Sequence, residues 1–268
     1  MKKIGLIAGN GRFPILFADQ MKAQGMAVIA VAHLGETLKE LEDHVDRIFW
    51  IKVGQLGKLI KTFKREGVRD LVMAGGIKKT RLFTDVIPDL RAVQLLASLK
   101  EKKDDAILRA IAKDLEKEGL FIRDSILYLK SLLVDEGPLT QKKPNKKENL
   151  DIEFGWKIAK SIGKLDIGQT VVVKDKVILA VEAIEGTDEA IKRGGKLAEK
   201  DAIVVKICKP GQDLRFDLPT IGPETIESMI SVKASILAVE AGNTLLLEKE
   251  KTVEIADRGG VGIIGIRY

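Results

Sequence analysis

Along the first half of the chain, apolar residues fall into short continuous runs separated by stretches of helical period. Residues 3–8 (Lys-Ile-Gly-Leu-Ile-Ala) form one such run. A continuous run, rather than strict alternation, marks a strand covered on both faces, as in a parallel sheet. Gly9-Asn10-Gly11-Arg12-Phe13-Pro14 follows, then a helical pattern over 15–24 that Gly25 ends, then a second strand over 26–32. The series continues with a strand at 47–51, a helix at 55–65 closed by Gly67, and a strand at 70–74. Helices are predicted at 88–100 and 106–117, an edge strand at 120–122 and a short helix at 125–133. Strand and helix alternating in this way predict a Rossmann-like unit with a parallel sheet over residues 1–133.

Residues 134–149 break every period, contain Pro138 and Pro144, and carry the basic run Lys142-Lys143-Pro144-Asn145-Lys146-Lys147. They are predicted to be a linker. Beyond them the rhythm changes. A helix is predicted at 151–162 with Asp151 in its first turn. Strands at 170–173 and 177–183 are joined by Lys174-Asp175-Lys176 as a hairpin. A helix at 188–197 has Thr187 placed to cap it, and a strand at 202–208 leads into a long loop. After the loop come a helix at 224–232, strands at 236–240, 244–248 and 262–266, and a short helix at 249–257. Antiparallel pairing argues against a second Rossmann unit. The predicted class is therefore α/β: a Rossmann-like parallel-sheet N-terminal domain (1–133), a linker (134–149) and a distinct mixed α/β C-terminal domain that carries the chemistry (150–268).

Composition narrows the function. The chain has 268 residues, of which 45% are hydrophobic and 31% charged, an ordinary balance for a globular protein. Only 4% are aromatic, which speaks against nucleic-acid binding by base stacking. The net charge of +6 favours anionic partners, and the basic run comes with no nucleic-acid recognition module. The lone Cys208 and the two histidines, His33 and His44, offer neither a disulfide framework nor zinc-ligand spacing. No signal peptide and no apolar run of transmembrane length is read, so a cytoplasmic location is expected.

Candidate chemistry lies in four places. Gly9 and Gly11 open a phosphate-type turn, although Pro14 stands where a third glycine would complete the dinucleotide fingerprint. Gly75 and Gly76 end another strand, with Lys78, Lys79 and Arg81 just beyond, a combination that suits a diphosphate. Asp104 and Asp105 stand where a helix takes its cap. In the second half Glu182 interrupts an apolar strand and is followed by Glu185, Gly186, Thr187 and Asp188. A carboxylate buried in a strand needs a cation or a metal. The loop 206–222 contains Lys206, Lys209, Asp213, Arg215 and Asp217 among prolines and glycines that fix its backbone. Two carboxylates four apart, with cations between, suit a hard metal ion facing an anionic substrate.

These segments resemble those of the LpxI-type UDP-2,3-diacylglucosamine pyrophosphatases of lipid A biosynthesis. The resemblance runs through residues 5–14, Ala74-Gly75-Gly76, residues 104–109 and Gly137-Pro138-Leu139-Thr140. It continues over 166–173, 180–188 and 209–222. It implies a Mg2+-dependent hydrolase that splits UDP-2,3-diacylglucosamine into UMP and 2,3-diacylglucosamine 1-phosphate. It also implies a homodimer, at most peripheral membrane contact, and an essential aspartate in the Gln-Asp-x-Arg-x-Asp motif, which is either Asp213 or Asp217. On this reading Asp213 and Asp217 hold Mg2+. Glu182, Lys209 and Arg215 act beside them, and Gly9, Gly11, Gly75, Gly76, Glu185, Gly186, Thr187, Asp188 and Lys206 bind substrate. Two other readings stand beside it. One is a nicotinamide-dependent oxidoreductase, with Glu36 near the end of the second strand as its ribose-binding acid. The other is a non-catalytic UDP-sugar or lipid-binding module.

Overall fold

The computed structural model describes residues 2–77, 88–99, 104–211, 213–216 and 218–268, with backbone alone for Asp104 and Asp105. The predicted basic residues Lys78, Lys79 and Arg81, and Asp217 of the loop, lie outside the described residues. The chain divides into two compact units. The first is Met1–Lys130 with Asp213–Asp217, and the second is Ser131–Gln212 with Leu218–Tyr268.

In the first unit, β1 (Lys3–Ala8), α1 (Phe13–Ala23), β2 (Ala27–His33), β3 (Arg47–Ile51), α2 (Leu56–Arg65) and β4 (Asp70–Ala74) follow the predicted alternation. Next come α3 (Leu90–Ala97), α4 (Asp104–Lys117) and β5 (Phe121–Ile122). The strands form one sheet in the order β3-β2-β1-β4-β5, and every pairing is parallel. All seven residues of β2 are buried, which is why its sequence runs apolar without alternation. Phe63, Leu71, Leu115 and Leu120 fill a core cluster under the helices. Pro14 sits in the first turn of α1, where its missing N–H costs nothing. α3 is shorter than the pattern suggests. It starts from Asp89, whose carboxylate accepts the N–H of Ala92 (3.0 Å) and that of Gly57 on α2 (2.6 Å).

The helix predicted at 125–133 is instead two single 3-10 turns, Ser125–Leu127 and Lys130–Leu132. Asp124 takes the N–H of Ile126 at 2.8 Å and starts a tight turn there. Leu133 and Val134 are already extended, bridged to Leu245 and hydrogen-bonded to Thr244 and Gly242. A strand-like contact so close behind leaves no room for a third helical turn.

The second unit contains β6 (Gly137–Pro138), α5 (Lys146–Lys164), β7 (Thr170–Lys174), β8 (Val177–Val181), α6 (Thr187–Ala198) and β9 (Ile203–Lys206). It ends with β10 (Thr220–Ile221), α7 (Pro223–Ser231), β11 (Ile236–Glu240), β12 (Leu245–Leu246), α8 (Lys249–Arg258) and β13 (Gly262–Ile266). Six strands form a mixed sheet in the order β6-β13-β11-β9-β7-β8. β9, β11 and β13 run parallel, and β7 and β8 form the predicted hairpin. Side chains alternate between its faces. Val171, Val173, Ile203, Val205, Ile236 and Ala238 pack with Ile152, Trp156 and Ala159 of α5. Val172, Val204, Leu237, Val239 and Ile263 pack with residues of α6, α7 and α8. The predicted strand at 244–248 keeps only Leu245–Leu246, which pairs with β10 in a separate two-stranded ribbon.

Residues 134–149 are structured parts of this second unit. Gly137–Pro138 pairs antiparallel with β13, and the Thr140 hydroxyl accepts the N–H of Ile263 at 2.8 Å. An Asn145–Glu148 capping box starts α5 within the basic run, five residues earlier than its apolar period implies. Asp151 is thus past the first turn, and it does not cap its own helix. Its two oxygens accept the N–H groups of Asp175 (2.9 Å) and Lys176 (2.7 Å) in the β7–β8 turn. Both turn residues have positive φ, 53° and 58°, as a two-residue hairpin turn requires, and neither is glycine. The carboxylate offsets that backbone cost.

Candidate functional site

Sheet order in the first unit reverses between β1 and β4, and the carboxyl ends of those two strands are where an open α/β sheet receives ligands. The predicted glycines lie there. Gly9 donates to the Ala74 carbonyl at 2.8 Å, and Asn10 donates to that of Gly76 at 2.8 Å. A Cβ on Gly9 would lie 2.4 Å from the Gly76 oxygen, and one on Gly75 would lie 2.2 Å from the Asn10 oxygen. Gly9 and Gly75 are therefore required by the interlocking of two turns, before any ligand is considered. The N–H groups of Gly9 and Asn10 are also spent within the fold. Gly11 has φ +77, a conformation that favours glycine, and a Cβ there would meet open space. Close by, His33 Nδ1 lies 2.9 Å from the Ala8 carbonyl, and burial pushes the imidazole pKa below its ordinary value.

The second unit gathers Glu182, Thr187 and Lys206. Glu182 follows β8, Lys206 ends β9, and Thr187 opens α6 behind Gly186, whose φ of +86 makes the turn into the helix. The Thr187 hydroxyl donates to Glu182 Oε1 at 3.0 Å and accepts from Lys206 Nζ at 3.1 Å. Lys206 also donates to the Thr220 carbonyl at 2.8 Å, and the Gln169 N–H reaches Glu182 Oε2 at 3.4 Å. Only 8% of Glu182 and 5% of Lys206 is exposed, so one hydroxyl links a buried carboxylate to a buried ammonium. Thr187, predicted as a helix cap, is instead this link, and Gly186 is the capping residue. The carboxylate demanded a cation on physical grounds, and Lys206 meets that demand through the hydroxyl.

The neighbouring acids are placed differently. Glu185 pairs with Arg193 at 2.5 Å, and that guanidinium holds its carboxyl below the usual range. Asp188 Oδ1 and Gln169 Oε1 are buried without a hydrogen-bond partner among the described residues.

Within the 206–222 loop, Lys209 pairs with Asp166 at 2.8 Å. Asp213 is held by Arg215 in a fork, Nε to Oδ1 at 2.9 Å and Nη2 to Oδ2 at 2.7 Å, with the Arg215 N–H on Oδ1 at 3.2 Å. This bidentate contact keeps the Asp213 carboxyl below the usual carboxylate range, so it is ionised at neutral pH. Arg215 also lies 3.7 Å from Glu116 and stacks over Phe216, which packs against the core of the first unit. The loop is anchored at both roots. Thr220 is held by Lys206 and the β10–β12 pairing, and Cys208 by Lys160 and Glu240. Sequence reasoning passed over Lys160 and Glu240. The signal was present, because Glu240 ends an apolar strand just as Glu182 does.

For a metal, the chemistry of Asp213 fits: an ionised hard-oxygen donor in the motif expected to hold Mg2+. Both its oxygens are engaged by Arg215, and among the described residues no group of three His, Cys, Asp or Glu gathers around a common point. Among the described residues, no helix is long and apolar enough to cross a membrane.

Residues 3–132 match the LpxI N-terminal domain and residues 135–264 the LpxI C-terminal domain. The UDP-2,3-diacylglucosamine pyrophosphatase LpxI of Caulobacter vibrioides is 32% identical over 279 residues, covering 99% of this chain and 98% of its own length. A bifunctional purine biosynthesis protein PurH from a Thermoanaerobacter species is 29% identical over 209 residues, covering 70% of this chain and 36% of its own. Among solved structures, phosphoribosylglycinamide synthetase from Anaerococcus prevotii is similar at 14% identity and a TM-score of 0.27, covering 73% of this chain and 42% of its own. A likeness of that degree adds nothing to the argument.

Proposed function

The chain belongs to the LpxI family, and from that premise we propose that it hydrolyses the pyrophosphate bond of UDP-2,3-diacylglucosamine in lipid A biosynthesis, releasing UMP and 2,3-diacylglucosamine 1-phosphate. We propose further that the reaction depends on Mg2+ and that the protein works as a cytoplasmic homodimer. The observation that carries the reading is the match to a pyrophosphatase of that name over 99% of the chain, which takes in every loop described above.

The chemistry of the loops agrees with it. Pyrophosphate cleavage needs cationic groups where negative charge develops on the leaving phosphate. Arg215 is a planar guanidinium already engaged in bidentate carboxylate recognition, and the same fork fits a phosphate. In this reading Arg215 exchanges Asp213 for a substrate phosphate, which leaves Asp213 ionised beside the reacting centre. Lys209 adds a second cation, and the buried Glu182–Thr187–Lys206 link holds the returning root of the loop at Thr220. Mg2+, when bound, supplies charge neutralisation and a more acidic water. Asp213 is the described residue that would hold it, with Asp217 of the same motif.

The test is UMP release from UDP-2,3-diacylglucosamine with Mg2+ and with EDTA, in the parent protein and in Asp213→Ala, Asp217→Ala and Arg215→Lys. EDTA should abolish turnover, and at least one aspartate variant should lose about 10²-fold or more in kcat. Full turnover in EDTA would remove the metal, and full turnover in both aspartate variants would remove the loop from the mechanism. Tight UDP-sugar binding without UMP release would make the protein a binding module.

A further inference from the structure

The β9–β11 ladder ends at the pair Lys206–Val239, just where the chain leaves the sheet for the loop. Ile207 still donates to the Gln169 carbonyl, but at Cys208 both main-chain groups turn to side chains. The Cys208 N–H donates to Glu240 Oε2 at 2.8 Å, and its carbonyl accepts from Lys160 Nζ at 3.1 Å. Those two side chains are themselves paired, Nζ to Oε2 at 2.6 Å. Each is steadied further. Asn243 Nδ2 donates to Glu240 Oε1 at 3.1 Å, and Lys160 lies 5.0 Å over the ring of Trp156. One residue of main chain is thus gripped from both sides by an ion pair drawn from α5 and the end of β11.

A buried main-chain amide needs a partner, but an uncharged acceptor satisfies it. A charged, doubly hydrogen-bonded grip is stiffer than satisfaction requires, and it sits one residue before Lys209 and five before Asp213. Pro210 then restricts the chain, and Gly211 turns it at φ +78.

We propose that Glu240 and Lys160 are positioning residues for the reaction, fixing the root from which Lys209 extends. The proposal rests on the pyrophosphatase reading given above. Misplacing a reacting group by about 1 Å can cost about 10²-fold in rate, so loss of the grip should appear in kcat rather than in KM.

The experiment uses the full-length protein and two readouts. In UMP release, Glu240→Ala and Lys160→Met should each lose about 10- to 100-fold in kcat with KM within about three-fold. Glu240→Gln retains an oxygen for the Cys208 N–H and should keep most of the rate. In hydrogen–deuterium exchange without substrate, peptides covering 207–211 should exchange at least about ten-fold faster in Glu240→Ala, while those from β7, β9 and β11 stay protected. Unchanged kcat in Glu240→Ala overturns the proposal. So does a rate loss accompanied by faster exchange throughout the second unit, which would mark a purely structural role. If the parent protein releases no UMP, the pyrophosphatase reading fails, and unchanged exchange at 207–211 would then overturn the grip separately.

Discussion

Replacing Lys206 by methionine keeps the buried aliphatic stem and removes the ammonium. Lys206 is 5% exposed, so water does not take over its role. Two hydrogen bonds from the cation are lost, to the Thr220 carbonyl at 2.8 Å and to the Thr187 hydroxyl at 3.1 Å. Hydrogen bonds to charged groups contribute about 1.5–3 kcal/mol each. Thr187 keeps its bond to Glu182, and the Thr220 carbonyl does not keep its own, so the expected loss is about 3 kcal/mol. At about 3–4 °C per kcal/mol for a unit of this size, Tm should fall by about 10 °C. Glu182 decides whether the reasoning is right. If its carboxylate depends on the ammonium through Thr187, then Glu182→Gln should cost less in the Lys206→Met background than in the parent, with a coupling of about 1–2 kcal/mol. Urea unfolding followed by Trp156 fluorescence in a Trp50→Phe background reports on the second unit alone. Additivity of the two substitutions within about 0.5 kcal/mol would show that the hydroxyl carries no linkage and would refute the argument.

Two further outcomes follow. His33 is kept neutral by burial, with its folded pKa below the ordinary 6.5, so the unfolded chain binds the extra proton first as pH falls. Its contribution is fully present above pH 6.5 and is lost as pH drops through the lowered folded value, at no more than about 1.4 kcal/mol per pH unit. Urea midpoints of the first unit should therefore fall from pH 7.5 to 5.0, and less steeply in His33→Gln; equal slopes would refute this. Asp151→Ala should cost about 2 kcal/mol by releasing the N–H groups of Asp175 and Lys176, and Lys176→Gly should recover about 1 kcal/mol by relieving its positive φ. An unchanged melting temperature in Asp151→Ala would mean that the turn needs no brace.

β1 and β2 were legible because burial on both faces writes itself as an unbroken apolar run, as in residues 27–33. What escaped reading depends on partners distant in sequence. Pro138 reads as a linker residue until its pairing with Ile264 is known. Asp151 reads as a helix-start acid until the hairpin turn 24 residues later closes on it. Thr187 has the residue type of a cap, and only the spatial meeting of β8, β9 and α6 gives its hydroxyl a carboxylate on one side and an ammonium on the other. Glu182 was readable as a carboxylate in need of a partner. That its partner is Lys206, by way of a hydroxyl, was not, because nothing in residue spacing encodes that relay.

The assignment of Asp213–Asp217 to the first unit has a consequence for how the chain can be divided. No single cut separates the two units. A fragment beginning at Ser131 would carry Phe216 away from the cluster it packs against, and Arg215 away from Glu116. Such a fragment would present the aspartate–arginine motif on a rearranged loop, so its inactivity would say nothing of where the chemistry resides. A swap of either half between relatives must carry the loop tip's contacts with it or rebuild them.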